Sequence, residues 1–123
     1  MANNISFIEP RHFEGRTFVG NSNGKPVFIL VKAGYCGWCK KFEPTFQAVA
    51  DKYSSSVFFG AIRADNGTPG EAELAKTFKQ TIDPRCQGYP HLSLFVDGNL
   101  INAEPTSRSE TDVIAFLKKY TGI

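Results

Sequence analysis

The stretch Val27-Phe28-Ile29-Leu30-Val31, followed after a short connection by Cys36-Gly37-Trp38-Cys39 and then Lys40-Lys41-Phe42, decides the fold. Its first five residues are apolar at every position, the pattern of a strand buried on both faces in the middle of a sheet. From Cys36 the period changes. Phe42, Phe46, Val49, Ala50 and Tyr53 share one helical face, and Cys39 extends that face toward its start. Two cysteines three residues apart at a helix start lie on one side of it, close enough to close a small ring. The helix N-terminus favours the thiolate form of the outer sulfur. The spacing therefore makes Cys36 the exposed sulfur and Cys39 the inner one, a pair suited to thiol–disulfide exchange.

Reading outward toward the C-terminus, Val57 to Ala64 is a second strand. Thr68-Pro69-Gly70-Glu71 combines an N-cap, a proline at the first helical position and a capping-box glutamate, so a helix is expected through Leu74, Ala75, Phe78 and Ile82. Leu92 to Val96, then Asp97-Gly98-Asn99, then Leu100-Ile101 read as a β-hairpin with a glycine-bearing turn. Val113, Phe116, Leu117 and Tyr120 give a closing helix, capped by Ser107 with Glu110 or by Ser109.

Toward the N-terminus, Gly20 to Gly24 is a loop and Ile5 to Ile8 a short edge strand, while the polar segment Glu9 to Arg16 is expected to hold a helical turn anchored by Phe13. Pro44 falls inside the helix after the cysteines and is expected to kink it. The order predicts an α/β protein, residues 1–123 forming one domain with helices on both faces of its sheet.

Composition narrows the functional classes. At 123 residues, with 41% hydrophobic and 21% charged, the chain can bury a core without staples, and eleven Phe point to an aromatic-rich one. Net charge is +2 and no run of Lys or Arg exceeds two, which argues against a nucleic-acid partner. The first ten residues lack a basic leader with an apolar core, and the longest apolar run is too short to span a bilayer, so neither export nor a membrane anchor is expected. Three cysteines argue against a secreted disulfide framework, and for two working thiols plus one extra in a reducing, cytoplasmic setting.

With a dithiol after a buried strand, Pro44 in the helix, Gly88-Tyr89-Pro90 before a hairpin and Asp97-Gly98 in its turn, the chain resembles the thioredoxin family from about Ile5 to Tyr120. Cys36 to Pro44 and Gly88 to Pro90 look closer to the catalytic domains of protein disulfide isomerases than to the simplest thioredoxins. The resemblance implies a thioredoxin-like fold with a central mixed β-sheet, a cis Tyr89-Pro90 bond, a Cys36–Cys39 disulfide in the oxidised form, and Cys36 and Cys39 as the catalytic pair. It also implies a substrate groove shaped by Tyr35, Gly37, Trp38, Gly88, Tyr89 and Pro90. Clients would be protein disulfides, recycling would fall to a flavin-dependent reductase or glutathione, no prosthetic group would be needed, and the chain would act as a monomer.

Departures from the family pattern are specific. Relatives carry a buried Asp or Glu six residues before the first cysteine, where it helps take the proton from the inner thiol; here that residue is Leu30. Lys32 stands where an aromatic is usual, Tyr35 where Trp is typical, and Trp38 where Pro or His is often found. The segment from Asn66 to Arg85 is longer than in a minimal thioredoxin.

Other readings of the same residues stay open at this level. Cys36, Cys39, Cys86 and His91 make, on paper, a tetrahedral zinc set, although the 46 residues between Cys39 and Cys86 exceed the usual finger spacing. Trp38 is either an apolar platform for an incoming peptide or a ring packed on Phe42. Cys86 is either an inert core thiol or a regulatory one. His91 lies either near the sulfurs or at the surface, and His12 faces solvent. Lys32 would favour thiolate if its ammonium reached the dithiol. An adaptor that keeps the fold but exchanges slowly, for want of a carboxylate at position 30, is the alternative to an enzyme.

Overall fold

In the computed structural model, which describes residues 3–123, the chain begins with β1 (Ile5–Phe7), a 3-10 turn (Pro10–His12), and the small hairpin β2 (Phe13–Glu14) and β3 (Thr17–Phe18). It continues through β4 (Val27–Lys32), α1 (Gly37–Tyr53), β5 (Phe58–Arg63) and α2 (Pro69–Thr77), which runs on into a π-helical turn (Phe78–Ile82). The hairpin β6 (His91–Val96) and β7 (Asn99–Leu100) and the closing α3 (Glu110–Thr121) complete it. The five-stranded sheet has the order β1-β5-β4-β6-β7. β1 and β4 run parallel to β5, whereas β6 is antiparallel to β4 and β7 to β6. This is the mixed central sheet expected from the sequence.

Alternation along β4 builds two cores. Phe28 and Leu30 face α1 and α3, where they meet Phe42, Phe46, Val49, Val113, Phe116 and Leu117. Ile29 and Val31 face α2 and the π turn, where they meet Ile62, Leu74, Ala75, Phe78 and Ile82. Period-2 alternation of a strand that is apolar throughout has one stable outcome, a layer of helix on each side. The phenylalanines fill both layers with offset and edge-on rings. Phe28 lies 5.8 Å from Phe46, and Phe46 lies 5.7 Å from Phe59. On the other face Phe13 sets its edge against Phe18, Phe78 and Phe95 at 5.3–5.4 Å.

Local signals account for the helix ends. The Thr68 hydroxyl accepts the Glu71 N–H at 3.2 Å while the Glu71 carboxylate accepts the Thr68 N–H at 3.0 Å, the reciprocal capping box. Of the two proposed caps for α3 it is Ser109 that accepts from the Asp112 N–H, at 3.1 Å; Ser107 bonds instead to the Asp112 carboxylate. The β6–β7 turn places Asp97 at φ 53 and Gly98 at φ 83, the left-handed pair that a two-residue hairpin requires.

Three expectations need correction. Phe13 lies in β2, not in a helical turn; the turn of this segment is the 3-10 turn before it, and Phe13 pairs with Phe18 across a hairpin. The α-helix begun at Pro69 gives way at Phe78 to a π turn, which keeps both Phe78 and Ile82 wholly buried. His12 does not simply face solvent: its Nδ1 accepts the Glu9 N–H at 2.9 Å and its ring stacks on Phe18. Burial and then the neighbouring Arg11 lower its pKa.

Candidate functional site

The carboxyl end of β4 and the first turn of α1 carry the cysteines to the edge of the sheet. Cys36 is the N-cap of α1 and Cys39 sits in its first turn; their Cα atoms are 5.2 Å apart and their sulfurs are joined as a disulfide. Cys39 is wholly buried and Cys36 half-buried, which is the inner and outer assignment that helical spacing predicts. The Cys39 N–H points at the Cys36 sulfur from 3.1 Å, so a backbone donor at the positive end of the helix stands ready for the thiolate formed on reduction.

Gly88, Tyr89 and Pro90 close the other side of the site. The Tyr89-Pro90 peptide bond is cis, as the resemblance implied, and the Tyr89 carbonyl oxygen lies 3.4 Å from Cys36 Sγ. Gly37 and Gly88 are exposed, Tyr35 is 78% exposed and Trp38 66% exposed. An indole left this open is a surface ring two residues from Cys36 and not a core group. Lys41 lies over its ring at 4.7 Å, and Trp38 shares a shallow groove with Phe42, Thr45 and Arg108. Tyr35, Gly37 and Trp38 thus adjoin the sulfur pair along the chain, and the Tyr89 carbonyl meets Cys36 from across the site.

The ionisable groups lie elsewhere than the family pattern would put them. Leu30 is wholly buried and pairs across the sheet with Ala61, so no carboxylate lies beneath the disulfide at that position. Lys32 does not bond to the sulfurs; its ammonium bonds to Glu43 at 2.6 Å, one helical turn beyond Cys39. Asp65 accepts the Gly34 N–H at 2.7 Å and so ties the end of β5 to the turn that leads into Cys36.

His91 is buried, which removes the surface reading. Its Nε2 lies 2.8 Å from the Asp83 carboxylate, which also accepts the Ser93 hydroxyl at 2.7 Å and the Arg85 guanidinium at 2.8 Å and 3.0 Å. Burial would push the Asp83 carboxyl up, but the bonds from His91, Ser93 and Arg85 outweigh it and hold the group well below the usual carboxylate range. Sequence reasoning missed this cluster; Asp83 and Ser93 carry no pattern that points to it. Cys86 is buried, its Sγ 3.9 Å from the Gly88 carbonyl, and burial pushes its thiol up to about 11. Among the described residues, no three His, Cys, Asp or Glu side chains gather as a metal-holding group, so the zinc set does not assemble.

A redox-active Cys-x-x-Cys at a helix start, beside a cis-proline at the edge of a mixed sheet, defines the class of thiol–disulfide oxidoreductases. The sequence model of the Thioredoxin family matches residues 9–119, and the chain belongs to that family. It is 27% identical to the putative thioredoxin-like protein 453L of Invertebrate iridescent virus 6, covering 92% of this chain and 91% of that one. It is 30% identical to the thioredoxin domain-containing protein 5 homolog of Drosophila melanogaster over 78% of this chain, but spans only 22% of that relative's length. Among solved structures, human ERp44 form I superposes with a TM-score of 0.71 at 18% identity, over 97% of this chain and 30% of that one. The J-Trx1 fragment of ERdj5 gives 0.68 at 20% identity, over 98% and 53%. These structural likenesses bear on the fold.

Proposed function

We propose that the chain is a reductase of protein disulfides, with Cys36 as nucleophile and Cys39 as resolving thiol. The observation that carries this reading is the sparse polar surrounding of Cys36 Sγ, which among the described residues meets one backbone N–H at 3.1 Å and, opposing it, one carbonyl oxygen at 3.4 Å. Lys32 is held by Glu43 and His91 by Asp83, so neither side chain bonds to the sulfur. A strongly oxidising dithiol needs its reduced form, and so its thiolate, well stabilised. A modestly stabilised thiolate leaves the pair a better electron donor.

In the forward reaction the Cys36 thiolate attacks one sulfur of the substrate disulfide. A Cys36–substrate disulfide forms and the other substrate sulfur leaves as thiolate, taking a proton from water. Cys39, once deprotonated, attacks Cys36 Sγ, closes the intramolecular disulfide and expels the second substrate thiolate. Two electrons pass to the substrate and the chain ends oxidised. A dithiol reductase or two glutathione molecules must then reduce it. A buried, unpaired Cys86 supports a reducing, cytoplasmic setting for this cycle.

The test is the equilibrium potential of the Cys36–Cys39 pair in glutathione buffers, followed by Trp38 fluorescence. A value near about −270 mV fits the reductase, whereas one near about −180 mV would assign oxidation or isomerisation instead. Cys39→Ser should accumulate mixed disulfides with clients. If it traps none while Cys36→Ser keeps full biological activity, the chain is an adaptor.

A further inference from the structure

The exchange face carries positive charge that the rest of the molecule does not use. Lys41 lies 4.7 Å from the centre of the Trp38 ring, and Lys79 lies 4.3 Å from that of Tyr89, so a cation sits on an aromatic ring of each of the two segments that border the disulfide. Arg108 lines both the groove beside Trp38 and the cavity of about 390 Å³ beyond Pro90 and His91, bridging the two. Among the described residues none of Lys41, Lys79 and Arg108 forms an ion pair, whereas Arg11, Lys32, Lys52, Arg63 and Arg85 do.

The acids at this end of the molecule are engaged. Glu43 is bonded to Lys32, Asp65 accepts the Gly34 N–H, and Asp83 is buried under His91, Ser93 and Arg85. Glu104, which lines the same cavity as Arg108, lies 3.7 Å from the Arg85 guanidinium. Other cations of the chain also stand outside ion pairs, but Lys41, Lys79 and Arg108 are the ones set against Trp38, Tyr89 and the grooves beside them.

We propose that this face selects disulfides whose neighbouring residues are acidic: an extended client segment carrying Asp or Glu within a few residues of the half-cystine that Cys36 attacks. Resting on the reductase reading, the proposal adds its substrate class. Apolar client atoms lie on Trp38 and Tyr35, and carboxylates on either side meet Lys41, Lys79 and Arg108. Such complementarity acts mainly on encounter and on discrimination between partners, and salt screens it.

The experiment compares two peptide disulfides of one sequence frame, with Glu or with Lys flanking the half-cystine, and hydroxyethyl disulfide as a neutral third substrate. The fully reduced protein is used and second-order rate constants are read at low and high salt. The Glu peptide should react about 10-fold faster than the Lys peptide at low salt, the gap narrowing at high salt. In the triple variant K41E, K79E and R108E, shown folded by circular dichroism, the ratio of the two peptide rates should invert. Equal peptide rates at low salt, or a ratio that the triple variant leaves unmoved, overturn the proposal while the reductase stands. No reaction with any of the three substrates overturns the reductase reading and this one with it.

Discussion

The Asp83 carboxylate, itself wholly buried, receives the buried His91 ring from one side of the π-turn exit, Nε2 to Oδ2 at 2.8 Å, one residue after the cis-proline of the exchange site. Ser93 and Arg85 bond to the same group, so three side chains share one buried carboxylate, while Arg85 Nη1 is left buried without a hydrogen bond. Removing the central charge should be expensive. Asp83→Asn is expected to lose about 2–4 kcal/mol in urea unfolding, because His91 and Arg85 are left with a neutral partner. Its pH dependence follows from the depressed carboxyl pKa. The stabilisation is present above the ordinary aspartate value of about 3.9 and is lost as pH falls through the lower folded value. Wild-type stability should therefore fall on the acid side along a steeper curve than that of the variant.

Cys86 lies only a few residues from the exchange loop but should not take part in exchange. With its thiol pushed up to about 11 by burial, its thiolate fraction near neutral pH is on the order of one in ten thousand. After mild reduction, brief iodoacetamide treatment and peptide mass spectrometry should place the label on Cys36 and leave Cys86 unmodified until denaturant is added. Labelling of Cys86 at a comparable rate in the folded protein would contradict its inert placement.

Glu71 is the second buried carboxylate, and it couples a cap to an ion pair. It accepts from Arg63 Nε at 3.0 Å, from Nη2 at 2.6 Å and from the Thr68 N–H at 3.0 Å. Burial alone would raise its pKa; the Arg63 side chain and the Thr68 and Arg63 backbone N–H groups bring it below the usual value instead. Glu71→Gln keeps the size and one acceptor but loses the charge. A loss of about 2–3 kcal/mol is expected from urea unfolding, with α2 rather than α1 losing amide exchange protection.

The contrast between these groups shows what a sequence carries. Strands and helices were legible because each signal is local: the unbroken apolar run at Val27 to Val31, the Thr68 to Glu71 box, the Asp97-Gly98 turn. The dithiol was legible because helical spacing alone places Cys36 outside and Cys39 inside. Phe13 was misread because a lone aromatic in a polar stretch has no period; only Phe18 across the hairpin, with Phe78 and Phe95 beneath, fixes it as strand. The Asp83–His91 and Lys32–Glu43 pairs were not legible at all. Each joins residues from different elements, brought together by chain packing that no local spacing encodes.

Two glycines with nearly the same φ separate conformational strain from crowding. Gly98 has φ +83 and Gly24 φ +77, both in the left-handed region where a side chain is strained. Around Gly24 an added methyl group would meet nothing within 4 Å, whereas at Gly98 it would lie 2.8 Å from the Phe18 carbonyl oxygen and 3.1 Å from Thr17. The same approach lets the Gly98 carbonyl accept the Phe18 N–H at 2.9 Å, the bond that ties β3 to the β6–β7 turn. Gly24→Ala should cost about 1 kcal/mol, the conformational part alone. Gly98→Ala adds the clash with backbone and should cost about 2–3 kcal/mol. Thermal unfolding of the two variants side by side measures the difference. Equal losses would mean that β3 moves aside freely and that its bond to the turn contributes little to holding Phe18 in the core.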